Sequence, residues 1–301
     1  MKSFFLIINL FLITTFGLSQ DVEYKFSYNL NNPDTSILLM PELEEISGIA
    51  IGENPNQITA IEDEDGKLYT FDTYTGALIS KKRFHHKGDY EDLAFVGDHL
   101  FILKSNGNIY ELFDEGADTL TRIKHKTTLS KHNNLEGLCY DKAHNQLLIA
   151  CKGDVNEEYT NDLARAVYRF DLETKKLVPE PMIVITLEEF KSFIRKSKNN
   201  HLLEKFSPYL KSKKMRFAPS AIAIHPFTKN IYLMSSRGKM MMVLNPKCEI
   251  IHLEKMDKII HRQPEGMFFD KNANLFISNE GKGGIPKIFM FKYNPPKSVR
   301  H

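Results

Sequence analysis

The chain has few cysteines, and their number and spacing argue against a disulfide-stapled scaffold and against a zinc site. Cys139, Cys151 and Cys248 are the only three in 301 residues. An odd, sparse set does not make a disulfide framework, and no C-x-x-C or His/Cys spacing indicates zinc. We therefore expect the three to pack as small hydrophobic side chains.

Excess charge, tryptophan and long hydrophobic runs are also missing. The 40 Lys and Arg residues nearly balance 38 Asp and Glu residues, which leaves a net charge of +2. Such a chain has no global field to attract nucleic acid or an anionic membrane. After the N-terminus no hydrophobic stretch is long enough to span a bilayer. We expect a soluble monomer with no nucleic-acid partner and no transmembrane segment.

The usual catalytic motifs are absent as well. The sequence contains no G-x-S-x-G, no P-loop and no H-E-x-x-H. Ser47 and Ser220 have no histidine at a spacing that alone would make it a base, although triads also form through space. His132 lies just upstream of Glu136, where a lone histidine is more often structural. Whether the protein is an enzyme stays open, and these absences favour a non-catalytic role.

The first nineteen residues differ from the rest of the chain. Lys2 precedes the apolar run 4–16, and Gly17 and Ser19 stand at the −3 and −1 positions of a cut before Gln20. This pattern is typical of a secretory signal peptide. The alternative is an uncleaved anchor, but the run is shorter than the roughly 20 residues of a spanning helix. We expect a signal peptide at 1–19, a mature domain at 20–301, and export to the periplasm or medium of a bacterium.

One pattern recurs five times in the mature chain and predicts its fold. Each copy is a short motif followed by two apolar strands, and the motifs are Ile46–Ala50, Tyr90–Ala94, Leu135–Cys139, Pro219–Ala223 and Pro264–Phe268. Equivalent positions lie 44, 45, 84 and 45 residues apart. A unit of this size, with three evident strands and room for a fourth, is typical of a propeller blade. The sequence therefore predicts an all-β protein, a single closed β-propeller of about five four-stranded blades. A sixth blade would follow if the long interval hid a degenerate unit.

Two segments stand outside this repeat. Residues 186–214 are predicted to form a helical insertion, because Thr186 and Glu189 match a capping box and Leu187, Phe190 and Ile194 recur at helical spacing. Its strongly basic outer face is either a partner-binding surface or simply a solvated face. Tyr24–Leu30 is predicted as a strand that completes the last blade and removes its open edge.

The repeat motifs resemble those of the SdiA-regulated family of bacterial exported or membrane-anchored proteins. The resemblance is carried by Ile46–Ile49, Asp89–Leu93, Leu135–Leu138, Gln263–Met267 and Asn274–Glu280, and it covers about residues 42–292. It implies a β-propeller of poorly defined function, related to NHL-type and esterase-like propellers. The basic insertion and the cleavable signal are departures from the family pattern.

Since the first strand of each blade lines the central channel, the shared motif position predicts a ring of side chains. The ring holds Ser47, Glu91, Glu136, Ser220 and Glu265. Three carboxylates near one axis repel unless something compensates them. Glu91, Glu136 and Glu265 would then either ligate Ca²⁺ or accept hydrogen bonds from backbone N–H groups of the neighbouring blade. Both alternatives stay open.

A second ring is predicted from the ends of the second strands. It holds Glu62, Asp63, Lys104, Lys152, residues 235–237 with Arg237, Asn279 and Glu280. Mixed charges at one mouth suit a small polar ligand, whose anionic groups Lys and Arg would meet. They equally suit a salt-bridge network around a water-filled channel.

Three functions compete on this basis. The first is an extracytoplasmic binding propeller of the cell envelope. Its partner would be a small polar ligand or an envelope protein, and in one form of this hypothesis Ca²⁺ is bound in the channel. The alternative is a calcium-dependent hydrolase of the lactonase, phytase-like or esterase-like type, in which Ca²⁺ polarises a substrate oxygen. A third is a protein-interaction platform on the basic helices. Fold alone does not decide among them.

Overall fold

Twenty β-strands make up the computed structural model of the chain, which describes residues 24–52, 54–114, 120–155, 160 and 162–295. In chain order the strands are β1 (Thr35–Leu38), β2 (Ile46–Ile51), β3 (Gln57–Glu62), β4 (Lys67–Asp72), β5 (Leu78–Arg83), β6 (Tyr90–Val96), β7 (His99–Lys104), β8 (Asn108–Asp114), β9 (Leu120–Lys126), β10 (Leu135–Asp141), β11 (Gln146–Cys151), β12 (Ala164–Asp171), β13 (Lys176–Thr186), β14 (Ala221–Ile224), β15 (Ile231–Ser235), β16 (Met240–Leu244), β17 (Ile250–Lys255), β18 (Pro264–Phe269), β19 (Leu275–Asn279) and β20 (Lys287–Phe291). The predicted signal peptide lies outside the described residues.

The strands form five four-stranded antiparallel sheets, which we call blades 1 to 5. Blade 1 is β2–β5, blade 2 is β6–β9, blade 3 is β10–β13, blade 4 is β14–β17, and blade 5 is β18–β20 with β1. The first strand of each blade packs against the first strand of the next, and β18 packs against β2. The ring therefore closes, and the predicted five-bladed propeller is confirmed.

The described residues of the long third interval form no sixth blade. It contains the extended strand β13, helix α1 (Leu187–Lys196), helix α2 (Asn200–Phe206) and a 3₁₀ turn at Ser207–Lys211. The capping box at the start of α1 is present: the Glu189 N–H donates to Thr186 Oγ1 at 3.1 Å, and the Thr186 N–H donates to Glu189 Oε2 at 2.8 Å. No helix among the described residues is long and apolar enough to cross a membrane.

A fully buried arginine ties this insertion to blade 3. The guanidinium of Arg165 donates to Phe217 O at 2.9 Å, to Ala164 O at 2.7 Å and to Asp162 Oδ1 at 2.6 Å. On the other side, Phe190 packs with similar apolar side chains into the core shared by blades 3 and 4. The insertion is thus held against the propeller by both polar and apolar contacts.

The three cysteines are free thiols, as their spacing predicts. Cys151 is fully buried in the apolar core between blades 2 and 3, and Cys139 and Cys248 are partly buried against the core between blades 3 and 4.

The strand that closes the ring is not the one predicted. Tyr24–Leu30 forms no strand, and β1 instead pairs with β20, from Thr35 opposite Met290 to Leu38 opposite Lys287. The aromatic side chains of the 24–30 segment pack against blades 4 and 5, and Tyr28 Oη donates to Ala273 O at 2.7 Å. Large aromatic residues in this segment serve packing between blades and not strand pairing.

The blades approach most closely at the shared motif, where a glycine follows the channel residue in three blades. A Cβ on Gly48 would lie 2.5 Å from Asp92 Cα of blade 2, and one on Gly266 would lie 2.5 Å from Ser47 O of blade 1. Gly137 makes a similarly close approach to blade 4. Such distances are too short for any side chain, so these glycines allow neighbouring inner strands to touch.

Blade 2 has a buried aspartate at this position. Asp92 Oδ2 accepts the Leu138 N–H of blade 3 at 2.7 Å, and its Oδ1 accepts the Leu93 N–H at 2.9 Å. The inter-blade role considered for the glutamates is thus filled by Asp92. Burial raises the pKa of the Asp92 carboxyl group well above its usual value, although the two N–H donors oppose the shift.

We expect Gly48→Ala to destabilise the fold by about 1–3 kcal/mol or more, as overpacking at a rigid contact does. The added methyl group meets the backbone of Asp92, which has little room to move. Gly52→Ala is the matched control, because its Cβ would sit 3.4 Å from the Phe95 ring, an ordinary contact. Urea unfolding of the two variants checks this expectation, and equal stability of both would contradict it.

Candidate functional site

The central channel has two ends of opposite character. At one end the later residues of the five inner strands line a cavity of 250 Å³ with apolar side chains that include Ile51, Phe95 and Phe269. The other end, where the inner strands begin, carries the glutamates of the repeat. We call this second region the polar end of the channel.

A β-bulge turns the shared residue out of its strand in four of the five described inner strands. In β10, Leu135 pairs with Cys151 and Gly137 pairs with Ala150, so Glu136 lies between them without a partner. The same irregularity falls in β2, β6 and β18, at or next to their own motif residues. Bulges re-aim side chains, and here they free the glutamates from the sheet faces.

The ammonium group of Lys152 lies among the three glutamates. Its Nζ is 3.0 Å from Glu136 Oε1, which also accepts from Asn134 Nδ2 at 2.7 Å. Burial alone would lower the pKa of Lys152, but the charges of Glu136, Glu265 and Glu91 raise it above its usual value. Lys152 was predicted in the second ring; the structure places it in the first. The Lys152 ammonium group thus supplies part of the positive charge that bound Ca²⁺ was expected to supply.

Glu91 and Glu265 have pKa values raised above the usual range of a glutamate. Burial, with the nearby charges of Glu136 and Asp89, raises the pKa of Glu91 to about 10. Burial and the charge of Glu136 raise the pKa of Glu265 to about 8. Burial raises the pKa of Glu136 as well, while Lys152 and Asn134 oppose that shift. The polar end therefore disfavours the ionised form of its glutamates, and for Glu136 the ion pair with Lys152 partly opposes this effect.

These carboxylates do not form a ready-made calcium site. Within the described part of the chain, no group of three or more His, Cys, Asp or Glu side chains is placed to hold a metal ion. Glu136 is already engaged by Lys152 and Asn134. Binding of Ca²⁺ by Glu91, Glu136 and Glu265 stays a prediction.

Blades 1 and 5 add a group of buried polar atoms without partners. Asp63 Oδ1 and both amide atoms of Asn279 are buried and form no hydrogen bond among the described residues. Burial and the charge of Glu45, with smaller contributions from acids that include Glu280, raise the pKa of Asp63 to about 7. The Glu280 carboxylate forms an ion pair with Lys282 and also raises the pKa of Glu265. The buried polar atoms of blades 1 and 5 thus lie next to the channel glutamates.

The other predicted site residues have local structural contacts. Ser220 Oγ donates to Pro264 O at 3.0 Å across the seam between blades 4 and 5. The Ser47 carbonyl accepts from Ser278 Oγ at 2.9 Å. Glu62 is buried and accepts the backbone N–H groups of the turn that follows it.

Two predicted cations stand at the rim. Lys104 Nζ lies 4.8 Å from the centre of the Tyr90 ring. Arg237 is exposed, 3.9 Å from Asp162. Neither joins the cluster around Lys152.

Sequence reasoning missed the residues that support each glutamate. Asp89, Asn134 and Gln263 each stand two positions before a channel glutamate, and each forms a side-chain hydrogen bond with it. In a strand, residues i and i+2 share one face. A polar residue at this offset in four of the five repeats, all except the fourth, was the available signal.

Solved structures confirm the fold but not the activity. The chain is similar to glutaminyl cyclase from Myxococcus xanthus, with a TM-score of 0.57, 10% sequence identity, and coverage of 87% of this chain and 96% of that one. A luciferin-regenerating enzyme gives a TM-score of 0.49 at 9% identity, over 87% of this chain and 95% of that one. A streptogramin B lyase gives 0.46 at 9% identity, over 89% and 75%. At such identities the likeness shows the β-propeller fold alone. No protein-family model matches the sequence, and neither does any curated protein.

We expect Glu91→Gln to stabilise the protein at alkaline pH. The folded state holds the Glu91 proton up to about pH 10, whereas the unfolded chain releases it near pH 4.5, so the wild type loses stability as pH rises between these values. Each pH unit in this window is worth about 1.4 kcal/mol for one proton. Glutamine cannot ionise and still donates to Asp89, so a gain of at least about 1 kcal/mol is expected at pH 8, shrinking towards pH 5.

Melting temperatures of the wild type and Glu91→Gln across this pH range test the expectation. The control is Glu173→Gln at an exposed turn, which should track the wild type at every pH. A Glu91→Gln variant less stable than the wild type by the same amount at pH 5 and pH 8 would show that Glu91 is ionised in the folded protein.

Proposed function

We propose that this chain is an exported binding propeller of the bacterial cell envelope whose polar end takes a small polar ligand carrying an amino group. The propeller fold is established by the structure; the ligand, the export and membership of the SdiA-regulated family are parts of the proposal. The repeat motifs support the family, and the pattern of residues 1–19 supports export.

The observation that carries the proposal is the set of buried polar atoms without partners, among the described residues, at Asp63 and Asn279. Buried polar groups in folded proteins nearly always have a hydrogen-bond partner, either protein, water or ligand. Asn279 is 2% exposed, and its side chain has both donors and an acceptor to satisfy. A ligand with both donor and acceptor groups would complete this set.

The charge balance indicates the kind of ligand. Burial, and after it the charges of neighbouring acids, raises the pKa values of Asp63, Glu91 and Glu265, so the polar end has little positive charge for the carboxyl groups it buries. An ammonium group within reach favours the ionised carboxylate and lowers its pKa. Binding of an amine would therefore stabilise these buried acids in their ionised form and would release protons.

Matched pairs of probes test this proposal. Glucosamine against glucose, and glutamine against N-acetylglutamine, differ chiefly in the amino group, so we expect only the first of each pair to raise the melting temperature. Calorimetry of a bound amine in buffers of different ionisation enthalpy should show proton release. Asp63→Asn with Glu265→Gln should weaken binding about tenfold or more, since hydrogen bonds to charged groups contribute about 1.5–3 kcal/mol.

The control variant is Glu173→Gln, which should bind amines as the wild type does. Glu173 follows β12 at the end of blade 3 opposite the polar end. Equal response to both members of each pair, or no response to any probe at millimolar concentration, would contradict the amine proposal. A rise in melting temperature with CaCl₂ that Glu136→Gln abolishes would instead favour Ca²⁺ as the channel ligand.

A second candidate is a hydrolase that works at the same end of the channel. It is favoured by the different surroundings of two neighbouring glutamates: burial and nearby acids raise the pKa of Glu91 to about 10, whereas an ion pair with Lys152 opposes the rise at Glu136. Paired carboxyl groups whose surroundings push their pKa values apart suit general acid and base roles. We expect any activity against lactones, phosphate esters or aryl esters to fall about a hundredfold or more in Glu91→Gln. A screen with and without CaCl₂ checks this, and no turnover in either condition would remove the candidate.

A further inference from the structure

The helical insertion and blade 4 together border a strongly basic cavity outside the channel. We call it the basic cavity; its volume is 520 Å³, and its polar lining consists of Lys205, Tyr209, Lys211, Ser212, Arg216 and Lys255. Five of these belong to the insertion and the segment that follows it, and Lys255 ends β17. The chain as a whole carries a net charge of only +2, so four cations around one cavity are a local concentration.

Lys255 is held in a fixed position within this cavity. Its Nζ donates to Tyr209 Oη at 2.7 Å and to the carbonyl of Gly238. The Tyr209 ring in turn packs against Phe206 and Phe190, at ring-centre distances of 5.8 and 6.2 Å. Lys255 is half-buried, and a long side chain fixed by such contacts has already lost the conformational freedom that binding would remove.

Within the part of the chain that the structure describes, three of the four cations of the basic cavity lack a carboxylate partner. Among the described residues no Asp or Glu oxygen lies within 4.0 Å of Lys211, Arg216 or Lys255. Lys205 is 3.9 Å from Glu254, whose other oxygen accepts from His252 at 3.1 Å. Like charges in one cavity repel, and a bound anion would replace this repulsion with attraction.

We propose that the basic cavity binds a phosphate group, carried either by a small soluble molecule or by a lipid headgroup. The planar guanidinium of Arg216 matches two phosphate oxygens at once, and the lysines supply point charges. The Ser212 and Tyr209 hydroxyl groups stand in the same lining as further polar contacts. The inference is independent of the ligand at the polar end, since the two sites share no residue.

Pyrophosphate titrated into the full mature protein by calorimetry tests the proposal. We expect binding that weakens with added NaCl and falls about tenfold or more in the double variant Lys211→Ala, Arg216→Ala, because two charged contacts to the anion are lost. The control double variant is Lys82→Ala, Lys142→Ala, which removes the same charge at exposed positions of blades 1 and 3. Lys255→Met tests the fixed lysine separately, with circular dichroism to verify its fold.

Vesicles distinguish the two sources of phosphate. Co-sedimentation with phosphatidylglycerol vesicles, compared with neutral phosphatidylcholine vesicles, should be lost in the Lys211, Arg216 variant if the ligand is a headgroup and should be absent in the wild type if it is a soluble phosphate. Absence of binding to both pyrophosphate and anionic vesicles would overturn the proposal. So would an equal loss of binding in the Lys82, Lys142 control.

Discussion

The contact between neighbouring inner strands is the constraint on which the rest of this propeller depends. At the shared motif the strands come so close that no side chain fits at Gly48, Gly137 or Gly266. Because the glycine position faces the next blade, the residue before it is displaced into a bulge and lies at the channel. The same local sequence therefore joins the blades and places the glutamates.

Close packing also explains the unusual chemistry of the polar end. Five inner strands converge on one axis, so side chains from different blades interact through little solvent, and charge is expensive there. The ammonium group of Lys152 interacts with all three glutamates and partly compensates them. Burial raises the pKa values of all three glutamates, and side-chain hydrogen bonds with residues two positions earlier orient them. The result is a polar site that disfavours ionised carboxylates.

The blades and the position of the glutamates could be predicted from the sequence, because both follow from a period of about 45 residues. Contacts between side chains of different blades could not be predicted from the sequence. Lys152 faces Glu136 across the β10–β11 hairpin, but no spacing rule shows that its charge also acts on Glu265 of another blade. The closing strand was misplaced for a related reason. Tyr24–Leu30 has the aromatic residues that strands favour, whereas β1 buries only Ile37 and is held by backbone pairing, which leaves little trace in a sequence.

The pairing of β1 with β20 has a consequence for how the chain is made. Thr35 pairs with Met290, 255 residues further along the chain. Until residues 287–291 have been synthesised, β1 has no partner and the ring stays open, with exposed strand edges that favour association with other chains. Assembly of the ring is therefore a late event in biosynthesis, and the growing chain is most vulnerable to aggregation just before this segment appears.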